Sequence, residues 1–111
     1  MKSNAIKEFK QKDVIIKKIG IDYKKANLIK ENNFIYEEEK GFYLKEEDFY
    51  LKIKSKVDYV LMNLERELSM ILYKEYFSVK DETWWVYYFS KSTYYRLKNK
   101  AMKEFLEWWY A

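Results

Sequence analysis

Residues 46–77 read EEDFYLKIKSKVDYVLMNLERELSMILYKEYF, and the spacing of their apolar positions decides the fold. Phe49, Ile53, Val57, Val60, Leu64, Leu68 and Ile71 step by four and three, the rhythm of one helix face. Leu61, Leu72 and Tyr76 widen that face. At ~1.5 Å of rise per residue, an unbroken helix from Glu46 to Phe77 would be about 45 Å long. A helix of that length outruns a small domain. It must bend, split or pair with another chain, and a homodimer through this face is one expectation.

Upstream, Ile6, Phe9, Ile16 and Ile19 share a helix face that Ser3 or Asn4 could cap. Gly20 reads as a stop, with Asp22 capping a second helix that carries Tyr23, Ala26, Leu28 and Ile29. Between Asn32 and Leu44, Phe34-Ile35-Tyr36 and Phe42-Tyr43-Leu44 flank an acidic stretch, a pattern open to a short hairpin or a loop, of which the loop is favoured. Charge alternates in blocks. Residues 2–30 are strongly basic, 31–48 carry Glu37-Glu38-Glu39 and Glu46-Glu47-Asp48, and Lys91 to Lys103 holds no acid. The expected organisation is a basic N-terminal helical segment with an acidic connector over 1–45, then a long helix and a C-terminal helical unit over 46–111, together one compact domain.

Composition narrows the possibilities. The chain has 111 residues, enough for one modest core, with 49% hydrophobic and 21% aromatic residues. It contains no proline and two glycines, so few positions interrupt helices and an all-α fold is expected. No histidine and no cysteine are present, which removes the commonest general base and metal ligand as well as disulfides and thiolate sites. Two glycines cannot build a phosphate-cradling loop. Neither enzymatic activity nor a cofactor or metal is expected. With 36% charged residues and no long apolar run, no membrane association is expected; Met1-Lys2-Ser3-Asn4 has no secretion-signal character, so the expected location is cytoplasmic. A net charge of +4 suits a polyanionic partner, although acidic and basic blocks in one chain can also pair with each other.

The chemistry-bearing segment lies at the C-terminus. Ser90 stands where an N-cap belongs, after Phe89 and before a run without breakers. From there Tyr94, Leu97, Ala101, Phe105 and Trp108 fall on one inward face, while Lys91, Ser92, Tyr95, Arg96, Asn99 and Lys103 turn away from it. A helix N-terminus offers N–H groups and a positive dipole end to phosphate, and an arginine one turn in can fork onto guanine in a major groove. The bland alternative is a capped helix with a solvated basic side. Trp84, Trp85, Trp108 and Trp109 could stack bases, but paired tryptophans around a small helical unit favour core.

The stretch 89–108, FSKSTYYRLKNKAMKEFLEW, resembles the recognition-helix segment of ArpU/RinA-type phage transcriptional regulators, which are related to the promoter-reading helix-turn-helix of bacterial sigma factors. Ser90 to Arg96, then Lys98, Ala101 and Phe105, carry the resemblance. Leu64 to Leu68 and Leu72 to Phe77 look like the helix that precedes the motif. The resemblance implies a C-terminal helix-turn-helix that binds double-stranded DNA. By motif position it implies base contacts from Lys91, Ser92 and Arg96, phosphate contacts from Ser90, Thr93 and Tyr95, and long-range attraction from Lys98 and Lys100. The usual scaffold helix has a small residue at its middle and a glycine in its turn. Trp84-Trp85-Val86-Tyr87-Tyr88 has neither, so a turn of different shape is expected.

Three functions follow as alternatives: a sequence-specific transcriptional regulator, a sigma-like factor docking on RNA polymerase, or a helical protein-interaction module without nucleic-acid binding.

Overall fold

A computed structural model describes residues 2–36, 44–78 and 83–111. The fold is all-α, and no strand occurs among the described residues. Helix α1 runs Lys2–Tyr36, α2 Leu44–Met62, α3 Arg66–Leu72 and α4 Lys91–Trp109. A π-helical turn, Tyr73–Phe77, continues α3, and a 3₁₀ turn, Trp84–Tyr87, precedes α4. The favoured loop over 32–44 is not borne out where it can be described: 32–36 belong to α1 and Leu44 opens α2, while 37–43 lie outside the described residues.

Gly20 does not stop a helix, and Asp22 caps none. Both lie inside α1, as do Ser3 and Asn4. The glycine serves close approach instead. A Cβ built on Gly20 would lie 3.1 Å from the Tyr76 carbonyl carbon and nearer still to its oxygen, so α1 and the π-helical turn meet backbone to backbone. The interior propensity penalty of glycine, about 1 kcal/mol, is offset by the contact it permits.

The central helix splits. Asn63 and Leu64 donate to the carbonyls of Val60 and Leu61 at 3.0 and 3.4 Å, tightening the end of α2 into 3₁₀-type bonds. The Asn63 side-chain amide donates to the Tyr59 carbonyl at 2.8 Å, and the Ser69 hydroxyl donates to the Leu61 carbonyl. These side chains satisfy carbonyls that an unbroken helix would have used. The split lets the periodic face fold onto its own chain: Val57, Val60, Leu64, Leu68 and Ile71 are all buried, while Phe49 at the outer end is exposed. The expected dimer through this face therefore loses its basis, because the face is consumed in the chain's own core.

One core joins both halves of the chain. Ile16, Ile19 and Tyr23 of α1 meet Val57 and Val60 of α2, Leu68 and Leu72 of α3, Tyr76 and Phe77, and Ala101, Met102 and Phe105 of α4. The Tyr23 hydroxyl donates to Asp58 at 2.9 Å and so ties α1 to α2. No helix among the described residues is long and apolar enough to cross a membrane.

Candidate nucleic-acid interface

Helix α4 begins as its sequence suggests. Ser90 has extended backbone, its hydroxyl oxygen accepts from the Thr93 N–H at 3.3 Å, and the same hydroxyl donates to Thr93 Oγ1 at 2.9 Å. The cap satisfies one of the N–H groups that a helix start leaves open. An aromatic scaffold then fixes the first turn. Tyr94 is buried, stacks on Trp85 at 4.6 Å with an interplanar angle of 9°, and meets Trp84 edge-on at 5.8 Å. Trp84 is buried with Ile71 and Tyr94, and Trp109 stacks on Phe105 at 5.7 Å. Trp108, placed on the inward face by its spacing, is instead 40% exposed and meets Tyr59 edge-on. The tryptophans thus mostly build and brace the fold.

Seven of the eight residues singled out in the sequence sit at or near the surface of α4. Ser90, Lys91, Ser92, Tyr95, Arg96 and Lys100 are exposed, and Thr93 is half-buried. Ser92, Arg96 and Lys100 follow one side at spacings of four, with Asn99 and Lys103 beside them.

Lys98 is the exception and a correction. Its side chain is buried, with the ammonium 3.6 Å from the Glu75 carboxylate and 3.8 Å from Asp13. The rings of Tyr76, Phe9 and Tyr94 lie 5.4, 5.6 and 5.9 Å from it. Two carboxylates and three rings leave this charge no access to a phosphate, and Lys98 tethers α4 to α1 and the π-helical turn instead. Glu75 also accepts from the Trp84 indole N–H at 3.0 Å, and Tyr76 donates to Asp13 at 2.5 Å. Burial works to raise the Asp13 carboxyl, but the Tyr76 hydroxyl, Lys17 and Lys98 together hold it below its ordinary value. Burial, reinforced by Asp13, pushes the Tyr76 hydroxyl far up; burial beside Glu75 does the same to Tyr94.

The tertiary structure adds a neighbour that local spacing could not show. The start of α1 lies along the Tyr95–Asn99 side of α4: Phe9 packs on Tyr95 at 6.1 Å, and Lys12 donates to Asn99 at 3.4 Å. Lys10 and Arg96 border one groove of about 390 Å³ floored by Ala5, Ile6, Phe9 and Tyr95. Two basic blocks from opposite ends of the sequence therefore share a surface. The block pattern of lysines was the available signal, but nothing in it specified the pairing.

Helix α3 packs against α4, yet the chain between Leu72 and Lys91 includes a π-helical and a 3₁₀ turn. A usual helix-turn-helix joins its helices in about three to four residues. Comparison with protein-family models, curated proteins and solved structures finds no match for this chain.

Proposed function

We propose that the chain binds double-stranded DNA through the outer side of α4 and acts as a cytoplasmic regulator of transcription. The observation that carries this reading is the exposure of Ser92, Arg96 and Lys100 along one side of a capped helix whose opposite side is locked into the core. A helix held from behind can present its N-terminal half to a major groove, with Lys91, Ser92 and Arg96 toward base edges, Ser90, Thr93 and Tyr95 toward phosphates, and Lys100 adding attraction. Lys10 and Lys12 of α1 extend the cationic surface on one flank. In this reading α3 and α4 serve as a helix-turn-helix with an enlarged connection, in keeping with the unusual aromatic run before Ser90. A role in transcription rests on the resemblance of 89–108 to phage regulators.

Selection of genomic fragments by the purified protein at controlled salt tests the proposal. Enrichment of a shared sequence, lost on Arg96→Ala, is the expected result. Retention of no duplex at any salt concentration would remove it.

A further inference from the structure

The outward side of α1 carries a second pattern. One residue advances a helix by ~100°, so positions seven apart nearly superpose. Val14, Ile21 and Leu28 stand at that spacing and are 65%, 53% and 58% exposed, a row of aliphatic side chains about 21 Å long on the side facing away from the core. Lys7, Lys10, Lys17, Lys18, Lys24 and Lys25 surround the row, all exposed. Over 4–29 the acids of α1 are Glu8, Asp13 and Asp22, and the same geometry puts each on a flank rather than in the row. Two of the lysines lean to the edges, Lys17 onto Asp13 at 3.0 Å and Lys25 toward the Tyr50 ring at 5.7 Å.

We propose that this face is a docking site for an acidic amphipathic helix of a partner protein. Aliphatic residues seven apart supply one of the two positions per heptad that a helix–helix seam uses. The positions between them are Lys17, Lys18, Lys24 and Lys25, whose stems can cover a partner's apolar side while their charges choose it. Six lysines border the row against three acids set farther round the helix, one of which, Asp13, pairs with Lys17. The face therefore keeps a positive excess, and a helix with leucine or isoleucine along its seam and glutamates beside it is complementary. A second copy of this chain would set lysine rows against lysine rows. A bilayer would call for a broader apolar side with aromatics at its edge, whereas this row is one residue wide. A phosphate backbone would engage the lysines and leave the aliphatic row in water.

The inference shares only Lys10 with the DNA reading, and the full chain tests the two separately. The probe is a synthetic helical peptide with a seven-residue leucine seam flanked by glutamates, compared with a scramble of the same composition. The expected result is salt-sensitive binding of the seam peptide and not of the scramble. Ile21→Glu should weaken it about tenfold or more, the loss expected when one aliphatic side chain no longer leaves water. The double variant Lys18→Glu with Lys24→Glu should weaken it too, while Arg96→Ala leaves it unchanged. Helical circular dichroism verifies that each variant is folded, as exposed positions should allow. Equal binding of seam and scramble overturns the proposal. So does binding through Ile21 to phosphatidylglycerol vesicles or duplex DNA in place of the peptide, or self-association in sedimentation that Ile21→Glu abolishes.

Discussion

The Lys98 ammonium lies 3.6 Å from the Glu75 carboxylate, and both side chains are almost wholly withdrawn from water. The pair joins the middle of α4 to the π-helical turn, with Asp13 of α1 at 3.8 Å on the other side of the lysine. Charges taken this far from solvent are costly to leave unpaired, so each partner depends on the others.

Removing the lysine should therefore be severe. Lys98→Met leaves Glu75 and Asp13 without their shared cation and is expected to destabilise the fold by about 3–5 kcal/mol. Combining it with Glu75→Gln should recover part of that loss. Urea denaturation of the single and double variants measures both, and a Lys98→Met protein as stable as the parent would refute the buried-pair account.

Gly20→Ala separates local preference from packing. Alanine is the better helix former by about 1 kcal/mol, so an isolated α1 would gain from the change. In the folded chain the new methyl meets the Tyr76 backbone carbonyl, which has no rotamer to change. Overpacking of this kind costs about 1–3 kcal/mol, and net destabilisation is expected. A rise in thermal midpoint would show that the two backbones are farther apart than described.

Stability should fall at both ends of the pH scale. Asp13 titrates lower in the folded chain than in the unfolded chain. Its contribution is complete above about pH 4 and is lost as pH falls through its folded value. Tyr23, Tyr76 and Tyr94 are raised by burial, so theirs is complete below about pH 10 and is lost as pH rises beyond it. Denaturation midpoints across pH should form a plateau between these limits, and Asp13→Asn should flatten the acid side. An acid limb unchanged by that substitution would assign the loss to other carboxyls.

The Ser90 cap offers a smaller, cleaner effect. Ser90→Ala should cost about 1 kcal/mol and Ser90→Gly only a few tenths, because the hydroxyl acceptor for the Thr93 N–H is lost while glycine tolerates the cap backbone. Equal losses from the two substitutions would mean that the hydroxyl contributes little.

Within the DNA proposal, three residues of one helix should behave differently. Arg96→Ala should reduce discrimination between sequences by about 1–3 kcal/mol. Lys100→Ala should weaken all duplexes alike and lower the salt slope by about 1. Lys98→Met, measured where the variant remains folded, should leave the slope unchanged because its charge faces inward. A slope reduced by Lys98→Met and not by Lys100→Ala would reverse the assignment of inner and outer lysines.

Most of α4 is legible in the sequence. Ser90 as cap and Tyr94, Ala101 and Phe105 as the inward side follow from neighbours within two turns, the range over which spacing and capping act. Asn63 is a local signal outside the apolar spacing: its amide competes for backbone carbonyls and so marks the end of α2. Lys98 reads as solvated in the sequence because a lysine within a basic run looks so unless its carboxylate partners are known, and Asp13 is distant in the chain.

The amino-acid order alone determined that the chain is helical, where α4 starts and which of its sides turns inward, because those properties depend on residues a few positions apart. Only the packed structure decided that α1 runs through Gly20, that the central helix divides to bury its apolar side within its own chain, and that the basic start of α1 lies beside Arg96. Each of these is a contact between distant segments. A glycine, a lysine or an aliphatic row takes its meaning from the surface set opposite it, and local spacing does not specify that surface.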